Sequence, residues 1–434
     1  MIDRDVCGKA ITLKKNIWIF HHYSTPPSMS GLARPYHFAR RLEDYGYTST
    51  VFSSAFLHFS GENLIKKKER YISHIEDGVE FIFVKTTEYK GNKADRILNM
   101  ISFMVNLFRV RKTMEKNNGS PRLIVASSPH LLTLFAGIYI ARKYKVPCIF
   151  EIRDLWPEAV FMLTGRSEKS FIGRILVSFE YWLYRRADGF VFTKEGDVDY
   201  IKEHKWDTAQ GGAIDLIKCH YINNGVDTEG FKESVSNNVF KDPDLDTDTF
   251  KVVYAGTIRL VNNVENIVDA AKILRDYKDI MFLIYGEGSE VEKISERIEK
   301  EELGNVRLKG YISRRFIPYV LSKSSLNILN YSADKYNWAR GNSSNKLFEY
   351  MASGKPVVSN VKMGYCIIDR YNCGISLEDS SPEALAETIL SVRNMSKAEY
   401  NELCENAAEG AKDFDFHVLA KKLAAVINDM IGED

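Results

Sequence analysis

The residues best placed to do chemistry lie in the segment 342–358, which reads Asn-Ser-Ser-Asn-Lys-Leu-Phe-Glu-Tyr-Met-Ala-Ser-Gly-Lys-Pro-Val-Val. It sets a cation, Lys346, and a carboxylate, Glu349, in the first turns of a helix. Ser343 or Ser344 is the expected cap, Gly354 suits the left-handed position past the end, and Pro356 forbids continuation. Val357 and Val358 then start a buried strand. Unpaired N–H groups at a helix start attract anions, and Lys346 adds a full positive charge, so the layout suits a diphosphate. Glu349 lies three residues on, along the same face. A carboxylate only accepts hydrogen bonds, which matches the two hydroxyls of a ribose. The same residues would equally form a solvated Lys346–Glu349 pair on an ordinary helix.

Other segments carry weaker versions of the same signal. Tyr254-Ala255-Gly256-Thr257-Ile258-Arg259 runs a strand into a glycine turn ahead of a helix, where backbone approaches phosphate and Arg259 is positioned to clamp it. Ile284-Tyr285-Gly286-Glu287-Gly288 repeats the device, and Gly310-Tyr311-Ile312 offers backbone groups to a base. In the first half, residues 150–158 place Glu151, Arg153, Asp154 and Glu158 at the end of an apolar run. Unpaired charge is costly there, so these groups must pair or face a cleft. The loop from Ser24 to Leu32 contains Gly31 and two prolines and precedes Arg34-Pro35, a helix start suited to an acceptor or a phosphate.

Short β-rich runs alternating with helical ones position these groups, the signature of a parallel sheet covered by helices. The first half predicts strands at 16–20, 49–53, 80–84, 123–127, 148–152, 189–193 and 219–222, with helices at 34–45, 130–144 and 171–187. The second predicts strands at 251–255, 281–285, 306–309, 326–329 and 357–360, with helices at 263–274, 291–300 and 316–323. Between them, 232–249 is polar and contains Pro243. The expected division is a first domain over 1–230, a linker over 231–250, a second domain over 251–415, and a terminal helix, 416–434, free to pack back on the first. A chain of 434 residues exceeds one typical core. Two doubly wound α/β domains facing a cleft, with ligands at the strand carboxyl ends, is the expected architecture.

Lysine plus arginine number 59 against 58 acids, so no global charge argues for nucleic acid. The six cysteines form no Cys-x-x-Cys pair or zinc-like cluster, as expected of reduced thiols in cytosol and of a site without metal. Met1 to Asp5 lacks the pattern of an export signal, and the apolar stretch 131–140 is shorter than the roughly 20 residues that cross a bilayer.

Taken together, these segments resemble the family 4 retaining glycosyltransferases of the GT-B fold, in particular the bacterial polysaccharide-assembly branch. The resemblance rests on Arg34-Pro35-Tyr36-His37-Phe38-Ala39 with Gly46-Tyr47, residues 126–130, 151–158, 182–188 and 223–227, Tyr254-Ala255-Gly256, and the segment 342–358. It implies transfer of a sugar from a nucleotide-sugar donor, usually linked to uridine diphosphate, to a glycan or polyprenyl-diphosphate-linked acceptor, with retention and no bound metal or cofactor. Glu349 matches the second glutamate of the paired-glutamate motif, which holds the donor ribose. The first falls at Gly341 and is absent. The arginine and lysine after the glycine turn fall at Thr257 and Asn262, leaving Arg259, Lys346 and Arg340 to supply charge. The catalytic-region histidine falls at Arg153, followed by Asp154.

The resulting catalytic set is Asp154, Arg259, Lys346 and Glu349. Donor binding is assigned to these last three with Gly256, Thr257, Gly286, Gly310, Tyr311, Ile312, Arg340, Ser343, Ser344 and Leu347. The acceptor side is assigned to Gly31, Arg34, Arg153, Asp154 and Glu158. Residues 92–116 read as a basic amphipathic helix that packs on the core or lies on an anionic membrane, assisted by Lys66-Lys67-Lys68. An epimerase of the same fold and a non-catalytic sugar-nucleotide binder are the rival classes.

Overall fold

A computed structural model describes residues 15–29, 31–91 and 93–432, apart from the side chains at 93 and 163. The sequence readings at Met1–Asp5, Ser30 and Asn92 fall outside them. In chain order the first sheet contains β1 (Lys15–Phe20), β2 (Tyr47–Ser54), β3 (Tyr71–Glu76), β4 (Val79–Val84), β5 (Leu123–Ser127), β6 (Cys148–Ile152), β7 (Gly189–Phe192) and β8 (Cys219–Tyr221). Their spatial order is β3-β4-β2-β1-β5-β6-β7-β8. Every neighbour pair is parallel except β3 with β4. β5 and β6 are buried along their whole length, as a strand covered by helices on both faces must be.

The second sheet contains β9 (Phe250–Ala255), β10 (Ile280–Tyr285), β11 (Val306–Gly310), β12 (Leu326–Leu329), β13 (Val357–Ser359) and β14 (Gly374–Ser376), all parallel, in the order β11-β10-β9-β12-β13-β14. Strand order reverses between β1 and β5 in one sheet and between β9 and β12 in the other. Such switch points open a crevice at the strand carboxyl ends. The loops from both crevices meet across the domain seam.

One segment departs from the sequence reading. The polar stretch 231–250 is not a free linker: Thr228–Asn237 is helical, capped by Asp227, and Phe231 and Leu245 are buried in the second domain's core. Its polar residues form the outer face of that helix and of a short turn at Pro243–Asp246. The terminal helix, Phe416–Ile431, packs on the first domain. Its Leu419, Ala420, Leu423, Ala424 and Ile427 form a stripe at helical spacing that closes the core against helix Arg34–Leu42, while Phe416 stacks on His37. Burying each large aliphatic there contributes about 1.5–3 kcal/mol, which anchors the chain's last crossing between domains.

Candidate active site

The second domain's wall is built from two close turns and one helix start. Gly286, at φ +148°, holds its backbone against Gly256, whose carbonyl oxygen lies 1.8 Å from where a Cβ would stand. Gly256 in turn leaves room for Lys346, whose side chain comes within 2.9 Å of a Cβ built there. Helix Asn345–Ala352 is positioned by Leu347, Phe348, Tyr350 and Met351 in the core, and it ends at Gly354, φ +62°. Ser344 is its N-cap residue, but its side chain makes no capping bond; the Ser344 N–H instead donates to Asn342 Oδ1 at 2.7 Å.

Lys346 is the most telling group in this wall. Its ammonium lies 4.8 Å from the ring centres of both Tyr254 and Tyr331 and donates to the Tyr254 hydroxyl at 3.3 Å. With the Asn262 amide turned so that its oxygen faces inward, that oxygen lies 3.2 Å from Nζ, and the amide nitrogen donates to the Thr257 carbonyl. No carboxylate forms an ion pair with Lys346 among the described residues. Burial, then the neighbouring Arg259, pull the Lys346 pKa down to about 7. Arg259 stands exposed on the loop that follows β9. Lys346, Arg259 and a helix start therefore face one cavity of about 340 Å³, and Lys346 enters it without an ion-pair partner among the described residues.

Glu349 is only 22 % exposed in its side chain and accepts from Arg314 at 3.3 Å. Gly310, at φ +69°, ends β11 and receives the Gly286 N–H at 2.8 Å; Tyr311 beyond it is exposed and Ile312 buried. Leu347 is buried, so only its backbone is available to a ligand.

The first domain's wall has the opposite character, because its charges satisfy one another. Arg34, 4 % exposed, donates to Glu151 Oε1 at 2.8 Å and to the carbonyls of Ile222 and Asn223. It is a buried clamp between β6 and the segment after β8, not an acceptor contact, which corrects the sequence reading. Burial opposes ionisation of Glu151, but Arg34 and Arg153 outweigh it and hold the carboxyl down at about 2. Arg153 points its guanidinium at His21 Nε2, 2.6 Å away, and burial with Arg153 keeps His21 neutral, at about 3. His22 and His130 are likewise joined at 2.7 Å. Gly31 serves its own loop: a Cβ there would fall 2.3 Å from Thr25 Oγ1.

Charged and polar side chains bridge the seam. Arg340 donates to Glu203 at 2.5 and 2.8 Å and to Glu158 at 3.2 Å. It is thereby spent on the other domain rather than directed at a donor phosphate, a second correction. Asn337 also donates to Glu158, at 3.2 Å, and Arg370 pairs with Glu195 at 2.7 Å. Asp154 accepts from Tyr336 at 2.9 Å. Asp154 and Lys194 line the cavity opposite Lys346. Lys194, Tyr331, Tyr336 and Trp338 were not singled out from sequence. Lys194 follows the carboxyl end of β7 and the three aromatics follow that of β12, so position in the fold was the available signal.

Known proteins share this family and fold. Residues 33–211 match the model for a glycosyl transferase 4-like domain, and residues 235–414 match that for glycosyl transferases group 1. The chain is a GT-B glycosyltransferase. Among solved structures, sucrose-phosphate synthase from Thermosynechococcus elongatus superposes with a TM-score of 0.71 at 14 % identity, covering 96 % of this chain and 98 % of that one. Anabaena HepE in complex with UDP gives 0.65 at 15 % identity, over 96 % of this chain and 100 % of that one. The E. coli trehalose-6-phosphate protein bound with UDP-2-fluoro glucose gives 0.67 at 12 %, over 97 % and 100 %. No curated protein matches this glycosyltransferase in sequence. Among the described residues no cluster of His, Cys, Asp and Glu suits a metal ion, and no helix is long and apolar enough to cross a membrane.

Proposed function

We propose that this glycosyltransferase moves a sugar from a UDP-sugar donor to a glycan or lipid-linked glycan acceptor, with retention, in the biosynthesis of a cell-surface polysaccharide. The observation that carries the reading is Lys346: an enclosed cation beside Arg259 and a helix start, with no carboxylate partner among the described residues, is arranged for a diphosphate. Glu349 then takes the ribose hydroxyls in exchange for Arg314, and Gly310 to Ile312 take the base. The hard step is departure of the nucleoside diphosphate. Fixed positive charge stabilises the leaving oxygen, which in turn accepts the proton of the attacking hydroxyl, so no separate side-chain base is required. UDP bound to HepE and UDP-glucose bound to the same protein support the donor class.

The acceptor side of the proposal includes contact with the cytoplasmic face of a membrane. Helix Lys93–Asn118 buries Phe103, Leu107, Val110 and Met114, yet leaves Ile97, Leu98 and Ile101 exposed. Beside that strip, Lys66, Lys67, Arg70, Lys85 and Arg109 line a groove of about 660 Å³, and none of the five forms an ion pair among the described residues. An apolar strip flanked by unpaired cations suits an anionic lipid surface.

A panel of nucleotide sugars scored for thermal stabilisation tests the donor. A true donor at 100 times its Kd stabilises by about 2.7 kcal/mol, and a panel with no UDP-linked hit would sink the reading. Product analysis with donor alone excludes an epimerase, the anomeric configuration of the product tests retention, and failure to float with anionic vesicles at low salt removes the membrane contact.

A further inference from the structure

Three side chains meet on the cavity wall where the domains touch. The Tyr336 hydroxyl accepts from Lys194 Nζ at 3.0 Å and donates to Asp154 Oδ1 at 2.9 Å. Lys194 is 2 % exposed and is held in place by the Arg153 carbonyl at 3.1 Å and by Asp197 at 3.5 Å. Asp197 is wholly buried, and Lys194 is its ion-pair partner. A buried ammonium and a carboxylate are thus fixed on either side of one hydroxyl oxygen, one donating to it and the other accepting from it. That is the arrangement a sugar hydroxyl requires, because its O–H both accepts and donates.

We infer that Lys194 and Asp154 recognise a hydroxyl of the sugar being transferred, and that the Tyr336 hydroxyl gives way to it. The inference rests on the donor reading above and names what the site reads beyond the nucleotide. Three observations carry it. Asp154 is the only carboxylate lining the cavity among the described residues, and Lys346 lines it too, so a sugar attached to a diphosphate at Lys346 extends into the space that Asp154 faces. Gly341, on the same lining, sits at φ +96° with the Gly364 carbonyl 3.2 Å from where a Cβ would stand, so the second domain supplies no carboxylate from that position. Tyr331, Trp338 and Tyr336 follow one another with ring centres 4.6 and 5.0 Å apart, offering aromatic surface to the C–H face of a pyranose next to the polar pair.

The division of labour follows from chain position. The diphosphate groups belong to the second domain and the hydroxyl-reading pair to the first, so sugar identity is read only while both domains embrace the donor. Lys194 and Asp154 are specificity-determining residues for the donor, whereas Lys346 serves any nucleoside diphosphate.

Asp154→Asn and Lys194→Gln, compared with the unaltered enzyme, test this. UDP affinity measured calorimetrically stays within about twofold, whereas kcat/KM for the accepted UDP-sugar falls by roughly 10- to 100-fold, the loss expected for one hydrogen bond to a charged group. Among monodeoxy donors, one suffers a comparable loss with the unaltered enzyme and no further loss with Asp154→Asn, since hydroxyl and carboxylate form one coupled pair. Tyr336→Phe removes the internal competitor and lowers the donor KM. Unchanged kcat/KM in both Asp154→Asn and Lys194→Gln, equal losses for every monodeoxy donor, or a raised KM in Tyr336→Phe would each overturn the inference. Absence of UDP binding by the unaltered enzyme would instead overturn the donor reading beneath it.

Discussion

The two walls of the cleft use similar residues to opposite ends. In the first domain Arg34 has Glu151, Arg153 has His21, and His22 has His130, each within 2.8 Å. In the second domain Lys346 has two aromatic rings, a phenol and an amide, but no ion-pair partner among the described residues. Burial penalises both sets. In the first it is offset by partners inside the chain; in the second no ion pair offsets it at Lys346 among the described residues. A charged residue at a strand end therefore says little until its partners are known.

The largest test of that contrast replaces Lys346 with methionine. Turnover falls by about 100- to 1,000-fold, the usual cost of removing a preorganised charge from a leaving group, while the melting transition stays cooperative and does not shift downward. A rate near that of the unaltered enzyme would break the comparison outright. On the other wall, Arg34→Met leaves Glu151 buried without its main partner and destabilises the fold by about 3–5 kcal/mol, as read by denaturant unfolding. Its UDP affinity stays unchanged where the protein remains folded; weakened UDP binding by folded protein would return Arg34 to the site.

Glu349→Ala is the next effect in size. Losing a charged acceptor for two ribose hydroxyls weakens UDP binding by roughly 10- to 100-fold, with little loss for a nucleotide that lacks those hydroxyls. Equal losses for both would mean that Glu349 acts through Arg314 instead. The smallest signal comes from protons. In the free enzyme the Lys346 pKa is lowered to about 7, so at pH 8 most of the ammonium is deprotonated. A bound diphosphate raises it again, so the complex carries more protons than the free enzyme above pH 7, and binding at pH 8 takes up close to one. Affinity accordingly weakens as pH rises past 7. Calorimetry in buffers of different ionisation enthalpy counts that proton, and a value of zero at pH 8 would show that Lys346 does not meet the phosphate.

Much of the scaffold was legible because its signals are local and periodic. The strands at 148–152 and 326–329 and the helix at 291–300 fall where the sequence predicts them, since buried parallel strands are continuous apolar runs and a surface helix alternates at 3.6 residues. The antiparallel edge strand Tyr71–Glu76 escaped notice: it is half exposed, and its pattern is broken by Ser73 and His74. Helix Thr228–Asn237 was hidden because a single aromatic, Phe231, anchors an otherwise polar segment. The second domain's side of the cavity was readable in outline from Gly256 and Lys346, which lie in compact motifs.

The sequence by itself determined the two α/β domains, the helix start that presents Lys346, and the glycine turns that let backbone and cation approach each other. Those depend on residues a few positions apart. Only the tertiary structure decided which charges were free. Arg34 and Glu151 are 117 positions apart, Lys194 and Tyr336 are 142, and Arg340 and Glu203 are 137. Pairing over such separations is set by how strands order within sheets and how the sheets meet, and it is this pairing that turned Arg34 and Arg340 into structural links and left Lys346 without an ion-pair partner among the described residues.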